Sequence, residues 1–431
     1  MNKNYISNSF RKFVGLFQKN LLLRKLKVVM YYFDSILVFF IKKPKYQKSK
    51  KKKILLIYNL AFGDGVIFRC SAKNIRKVYP KKDYDITLLC QKGIDKLYKK
   101  DDLYDRIISI DFNKSTINIK ERIKNYKILR KEYYDIILDP IGIFEWTTNI
   151  FYTKAAIGKE KIGLRDINVK LYCNENKIHK IYDKIIKIET PDLSLIEYYN
   201  CFFKGLLSKK SNIKPELVKL NIENSKIKLP KEYFIIFPGA SVKLKRWPIK
   251  RYAELAEKIV NKTGFELVLV GTDADKEAID ELKSKLTIPY LDLVNKTNLN
   301  DYIYVIDNSK LLVTNDTSAY HIGVVQEVPT AIITGAYTLE RYVLYDFEGK
   351  EKYRRPCTIV LNKTCKNCIN RCPYLKDKEV WPCLDEITID YAWKKLNDYI
   401  DINVLGGKNE NWKITWYKRK TNISFRRLYG R

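Results

Sequence analysis

Three short stretches carry side chains whose types and spacing could do chemistry. Gly63-Asp64-Gly65 follows the apolar run Ile54 to Tyr58; the glycines let a backbone approach a ligand closely, and an Asp held there could act as a general base. The same tripeptide also serves as a plain turn. Pro238-Gly239-Ala240-Ser241 leads to Lys245-Arg246-Trp247-Pro248. Small residues and a cation at a predicted helix start form an anion site, because free N–H groups and the helix dipole both favour negative charge; the alternative is an ordinary cap beside a solvated basic pair. The third stretch is Asn315-Asp316-Thr317-Ser318-Ala319-Tyr320-His321. Asp316, Thr317 and Ser318 can cap the helix that follows. His321, one of only two histidines with His179, lies one helical turn beyond them and is expected to face the same ligand.

Each stretch follows a predicted strand, and the rhythm of elements places it there. Ile54 to Tyr58, Asp85 to Cys90, Arg106 to Ile110 and Asp135 to Asp139 read as buried strands, with helical stretches to about Tyr79 and from about Ile117 to Lys131. Continuous apolar runs of this length are what parallel strands covered on both faces require. A less regular section runs from 141 to 228. Strands resume at Tyr233 to Pro238, Phe265 to Gly271, Leu311 to Asn315 and Thr330 to Thr334, with Pro248 expected in the first turn of a helix, where its missing N–H costs nothing. The alternation predicts two successive doubly wound α/β domains with a ligand cleft between them. We place them at 53–225 and 226–400, flanked by a basic amphipathic segment (1–52) and a basic aromatic tail (401–431).

Composition sets the surroundings. The 431 residues are 46% hydrophobic and 13% aromatic, with 17 Gly, 13 Pro and 9 Cys, which excludes a disordered, collagen-like or disulfide-framework chain. The formal charge of +33 is concentrated at the ends. Met1 to Lys53 holds fifteen Lys and Arg against Asp34 alone, and Lys408 to Arg431 holds eight against Glu410. The apolar run Val28 to Ile41 contains Asp34 and is too short to span a bilayer, and no small-residue cleavage site follows it. It suits the membrane interface, with Lys and Arg toward anionic headgroups, or a helical extension packed on its own domain. The tail interleaves Trp412, Trp416, Tyr417, Phe425 and Tyr429 with basic residues, as a membrane surface or an RNA would favour.

Cys365, Cys368, Cys372 and Cys383 stand close in sequence. Four such thiols could bind zinc tetrahedrally, but the spacing departs from the common ribbon, and a structural cluster of reduced thiols without metal is the expectation. Cys70, Cys90, Cys173, Cys201 and Cys357 read as reduced core thiols of a cytoplasmic protein.

Taken in order, the strand with Gly63-Asp64, the Phe237-Pro238-Gly239-Ala240-Ser241 loop leading to Lys245-Arg246-Trp247-Pro248, and the run Val313 to His321 resemble glycosyltransferase family 9, the bacterial heptosyltransferases, over about Lys53 to Asp390. The resemblance implies a GT-B fold, two Rossmann-like domains facing across a cleft, the first for the acceptor and the second for a nucleotide sugar. It implies an inverting transfer with no obligatory cofactor or metal. On this chain Asp64 would be the base that deprotonates the acceptor hydroxyl, and Lys245 and Ser241 would hold the departing diphosphate. Asp316, Thr317, Ser318 and His321 match the donor-binding motif, and Asp273 the acidic ribose-binding residue. The family usually shows Asp-Ser-Gly where this chain has Asp316-Thr317-Ser318, and a more hydrophobic stretch after Gly-Asp, where Arg69 would suit a phosphorylated or acidic glycolipid.

The expectation is therefore a cytoplasmic enzyme, peripheral on the inner face of the inner membrane. It would transfer a sugar, with heptose from ADP-heptose favoured, to a lipopolysaccharide-core or related glycolipid. Its partners would be that acceptor and an anionic membrane surface. The alternatives are another nucleotide sugar or a nucleic-acid-binding protein; no nucleic-acid partner is expected, because the body between the ends carries little of the charge and no recognisable RNA module.

Overall fold

A computed structural model describes residues 32–142, 148–168, 180–207, 213–361, 365, 368, 372, 374–375 and 379–406. Residues 1–31, the tail 407–431 and Cys173, for which the sequence sets expectations, lie outside the described residues. The chain forms two compact units: one runs up to Asn221 and regains Glu340–Tyr353, the other holds Ile222–Leu339 and continues from Arg354.

The first unit is built on strands β1 (Lys52–Tyr58), β2 (Tyr84–Gln91), β3 (Arg106–Ile110), β4 (Tyr133–Asp139), β5 (Ile157–Asp166) and β6 (Lys184–Ile188). They lie in the order β3-β2-β1-β4-β5-β6, and every pair is parallel. Its longer helices are α1 (32–39), α2 (Phe62–Ala72), α3 (Ile119–Leu129), α4 (Thr148–Ala155) and α5 (Leu195–Leu206). The central β1 is apolar from Ile54 to Tyr58 because helices cover both its faces. Phe68 on α2 stacks on Tyr58 and meets Tyr199 of α5 edge-on, which fixes α2 beside the end of β1.

The second unit repeats the design with β7 (Tyr233–Phe237), β8 (Glu266–Leu269), β9 (Tyr290–Asp292), β10 (Leu311–Thr314), β11 (Thr330–Ile333) and β12 (Cys357–Ile359). Their order, β12-β11-β10-β7-β8-β9, follows the chain as the first sheet does and is again parallel throughout. The helices are α6 (Ile249–Thr263), α7 (Lys276–Lys283), α8 (Leu299–Asp307), α9 (Ser318–Val325) and α10 (Ile389–Asn403). Pro248 is the N-cap of α6, one position before the helix proper, and Gly264 ends it in the left-handed conformation at φ 72°. The α/β class and the pair of Rossmann-like units expected from the sequence are what the structure contains. The supposedly irregular section 141–228 holds β5, β6 and α5.

Two segments join the first unit in ways the hydropathy pattern does not announce. Asp34 and Val38 on α1 and Ile41 just beyond it point to one side and are buried. Asp34 accepts from Arg122 Nη1 at 2.8 Å and Tyr126 OH at 2.7 Å, both on α3. Arg130, just beyond α3, donates to the carbonyls of Val38 and Ile41 at 2.6 and 2.7 Å and so satisfies the end of α1. Residues 32–41 are thus docked on their own unit, and among the described residues no helix is long and apolar enough to cross a membrane. The returning segment Glu340–Tyr353 is held by Ser194 Oγ donating to the Asp346 carbonyl at 2.5 Å, by Arg341 donating to Leu193 O, and by the Arg341 guanidinium lying 3.9 Å over the Tyr198 ring.

Candidate functional site

In a sheet of this order the chain reverses direction between β7 and β10, and loops at the carboxyl ends of these neighbouring strands part to leave a crevice. Both second-unit stretches singled out from the sequence sit there. Asn315, fully buried, ties them together. Its Oδ1 accepts from the Trp247 backbone N–H and from Tyr252 OH, each at 3.0 Å, and its Nδ2 donates to the Pro238 carbonyl at 2.6 Å and more weakly to that of Gly239 at 3.4 Å. Gly239 lies against Asp275: a Cβ there would come within 2.5 Å of Asp275 Oδ1, so that carboxylate would have to move aside.

On this frame Lys245 ends a short 3-10 turn, Lys243–Lys245, rather than starting a helix as expected. Its Nζ donates to Asp316 Oδ2 at 2.7 Å and lies 5.2 Å from the Tyr337 ring centre. The Asp316 side chain keeps only 7% of its surface in water. Asp316, Thr317 and Ser318 could have capped α9, but Thr317, the N-cap residue, makes no side-chain cap hydrogen bond. Asp316 goes to Lys245, and Thr317 Oγ1 pairs with Thr314 Oγ1 at 3.2 Å. The N-cap residue thus gives α9 no side-chain cap, and a cation stands beside that helix N-terminus, an arrangement suited to an anion.

His321 is buried in the second turn of α9. Burial, and secondarily Lys245, drives its pKa down to about 4 against the opposing pull of Asp316. The imidazole is neutral at physiological pH. Ser241 is exposed on the loop after β7. Arg246 is committed elsewhere, to Glu277 and the Ala240 carbonyl. Asp273 accepts from Asn295 Nδ2 at 2.6 Å, while Asp275, two residues on, accepts from Thr272 and crowds Gly239. Asn315, Tyr337 and Asp275 were not singled out as site residues. A buried Asn at a strand end is a usable signal, but its partners lie up to 77 residues away.

In the first unit Asp64 stands in the first turn of α2, half-buried at the end of β1. The Tyr58 and Tyr199 hydroxyls are 3.3 Å apart, and both phenols titrate well above their ordinary range, mainly through burial, with the Asp64 carboxylate adding to it. The structure corrects the role expected of Arg69. Its side chain is 1% exposed, forms a two-pronged pair with Asp101 at 2.5 and 2.7 Å, and donates to the carbonyls of Val218 and Lys219. Facing inward from α2, it closes the unit and is not available to an acidic lipid. Another carboxylate, Asp139 at the end of β4, is fully buried and pushed up to about 6 by that burial despite donors from Asn149, Thr153 and Tyr182.

Cys368, Cys372 and Cys383 pack against the apolar core of the second unit. Burial raises the Cys383 thiol, and the thiols of Cys368, Cys372 and Cys365 are near enough to add to it. Among the described residues no group of three or more His, Cys, Asp or Glu is arranged to hold a metal ion. The thiols of Cys70, Cys90 and Cys357 are raised by burial to about 11, 12 and 12, as inert core residues should be.

A doubly wound sheet with a lysine and small residues beside a helix N-terminus at its reversal point defines an α/β protein of the Rossmann-like class. Comparison with known proteins narrows this. The model of glycosyltransferase family 9 (heptosyltransferase) matches residues 122–345, and the chain belongs to that family. Lipopolysaccharide heptosyltransferase 2 of Salmonella typhimurium is 33% identical over 103 residues, which is 23% of this chain and 29% of that protein. The Escherichia coli protein of the same name is 32% identical over the same shares of the two chains. The match thus spans less than a third of these relatives. Among solved structures, a family 9 glycosyltransferase from Veillonella parvula superposes with a TM-score of 0.64 at 17% identity, covering 83% of this chain and 99% of that one. E. coli ADP-heptose lps heptosyltransferase II gives 0.58 at 18%, covering 81% and 98%. At these identities the structures speak for a common fold.

Proposed function

We propose that this protein is an inverting glycosyltransferase that moves a sugar, heptose from ADP-heptose being the favoured donor, onto a lipopolysaccharide-core or related glycolipid acceptor. The observation that carries the reading is the Lys245–Asp316 pair beside the N-terminus of α9, a seat for the diphosphate of a nucleotide sugar. A heptosyltransferase from E. coli with 14% identity and a TM-score of 0.53 was solved with ADP, which supports an adenine nucleotide as donor.

In this mechanism the α9 amides, with Ser241, Thr317 and Ser318, take the diphosphate. Lys245 exchanges part of its contact with Asp316 for the phosphate oxygens, neutralising charge that grows as the bond from the anomeric carbon to the diphosphate breaks. His321, neutral, can accept or donate a hydrogen bond toward the donor, and Asp273 stands for the ribose. Asp64 of the first unit accepts the proton of the acceptor hydroxyl as its oxygen forms the new bond to the anomeric carbon from the opposite side, so configuration inverts. No step needs a metal ion. The enzyme would work from the cytoplasm against the membrane that presents its lipid-linked acceptor.

The test is a thermal-shift titration with ADP, UDP, GDP and CMP, on the native protein and on Lys245→Ala. At one hundred times its dissociation constant a ligand stabilises by about 2.7 kcal/mol. Stabilisation by ADP alone, weakened roughly tenfold or more in affinity by loss of a charge-assisted contact in the variant, supports the reading. Preference for UDP or GDP replaces the donor and keeps the reaction class, and indifference to every nucleotide refutes it.

A further inference from the structure

The exposed side of α1 is as apolar as its buried side. Opposite Asp34, Val38 and Ile41, the residues Tyr32, Phe33, Ile36, Phe39 and Phe40 fall on one stripe, at the spacing that puts side chains on a common helical face. Ile36 is 58% exposed, Phe39 75% and Phe40 79%. Phe39 and Phe40 touch only edge-on, with ring centres 5.5 Å apart. A soluble surface scatters such residues singly. Here five are gathered on about two and a half turns, on a helix held rigidly from beneath by two arginines, a tyrosine and its own buried carboxylate.

The charge near this crest is mostly basic, Glu121 of α3 and Glu132 beyond it being paired with Lys114 and Arg106. Lys42, Lys43, Lys45, Lys48 and Lys50 follow it directly and are exposed or half-buried. On α3, the helix beneath, Lys120, Lys124 and Lys127 are exposed, as is Lys131 just beyond it. Asp34, the only acidic residue among the first 53, is turned inward and paired, so no carboxylate of that segment opposes an anionic surface. Aromatic side chains raised on a rigid helix and rimmed by lysine match the headgroup boundary of an anionic bilayer, where ring edges sit among acyl carbons and ammonium groups meet phosphates.

We propose that the stripe Tyr32-Phe33-Ile36-Phe39-Phe40 is a membrane-insertion crest that seats the first unit on an anionic lipid bilayer. This deepens the reading of a lipid-linked acceptor and rests on it only for its purpose; the docking can be measured without any sugar transfer. The crest, rather than the charged ends alone, would then set which side of the first unit meets lipid.

The experiment is flotation of the full chain with vesicles of phosphatidylethanolamine and phosphatidylglycerol, against vesicles of phosphatidylcholine alone, for the native protein and for Phe39→Ser combined with Phe40→Ser. The native protein should float with the anionic vesicles. The double variant should lose partitioning on the order of tenfold or more while keeping its melting temperature, its native mass and its ADP response. In Phe39→Trp the emission should shift to the blue on adding anionic vesicles and be quenched by brominated acyl chains. The proposal is overturned if the double variant floats as the native protein does, if the indole of Phe39→Trp stays in water while the protein is bound, or if the native protein binds no vesicles. It is equally overturned if the double variant melts earlier or changes its oligomeric mass, because the stripe would then be covered by protein. Failure of the nucleotide titration with intact flotation would remove the enzyme reading and leave the crest standing.

Discussion

Asn315 gives the sharpest test of how the second-unit loops are held. Replacing it by alanine removes three well-formed hydrogen bonds, to Trp247 N, Tyr252 OH and the Pro238 carbonyl, and a fourth long one. Each is worth about 1 kcal/mol net, but a buried group left without a partner costs about 1–3 kcal/mol. Trp247 and Tyr252 are fully buried, so water cannot replace the lost acceptor. Asn315→Ala should therefore destabilise the second unit by about 3–5 kcal/mol. In urea, with a slope of about 1–3 kcal/mol per molar, the midpoint of the corresponding transition should fall by about 1–5 M. The first unit, which shares none of these bonds, should hold its own transition. Because Asn315 fixes the loop that carries Lys245, affinity for ADP should fall in the same variant. A midpoint unchanged within error would refute the claim that this residue organises the site.

The remaining expectations are simpler. Asp64→Ala should abolish sugar transfer and leave the ADP-induced thermal shift unchanged, and a variant that retains full activity in a product assay removes Asp64 as the base. The two units should answer acid in opposite directions. His321, lowered to about 4 in the fold from an ordinary 6.5, binds its proton more readily when unfolded, so the second unit loses stability as pH falls from 6.5 toward 4. Asp139, raised from 3.8 to about 6, holds its proton more tightly when folded, so the first unit gains over the window from 6 down to 4. Each contribution is on the order of 3 kcal/mol. Urea titrations across this range should show the two slopes, and His321→Asn or Asp139→Asn should each flatten its own.

What could be read beforehand follows from where the information lies. β1, β4, β7, β10 and β11 are central or near-central, buried on both faces and continuous in apolar residues, so their positions stood out together with the loops that follow them. β6, an edge strand, sets two lysines among three isoleucines and lies partly in water, β5 mixes charged residues into its first half, and β9 and β12 span only three residues each. α5 has only a narrow, partly exposed face, Glu197, Cys201 and Lys204, beside a wide apolar one, and it lies within a section whose strands carry little pattern. Arg69 looked like a surface cation because its neutralising partner, Asp101, is 32 residues away. The capping open to Asp316 and Thr317 goes unused for a related reason. Locally each could serve α9, but Lys245, 71 residues upstream, offers Asp316 a stronger partner.

The return of Glu340–Tyr353 to the first unit fixes the order in which the protein can be completed during its own synthesis. Ser194, Leu193 and Tyr198 gain their partners Asp346 and Arg341 only after β7 through β11 have been translated. At about 5–20 residues per second, the amino-terminal unit waits on the order of ten seconds beside the ribosome with that edge open. A gene fragment that stops after Asn221 would encode a body lacking its last piece, and one meant to yield the first unit alone must splice Glu340–Tyr353 back in. The nascent chain is thus obliged to mature as one transcript-length event, with the second unit partly built before the first is sealed.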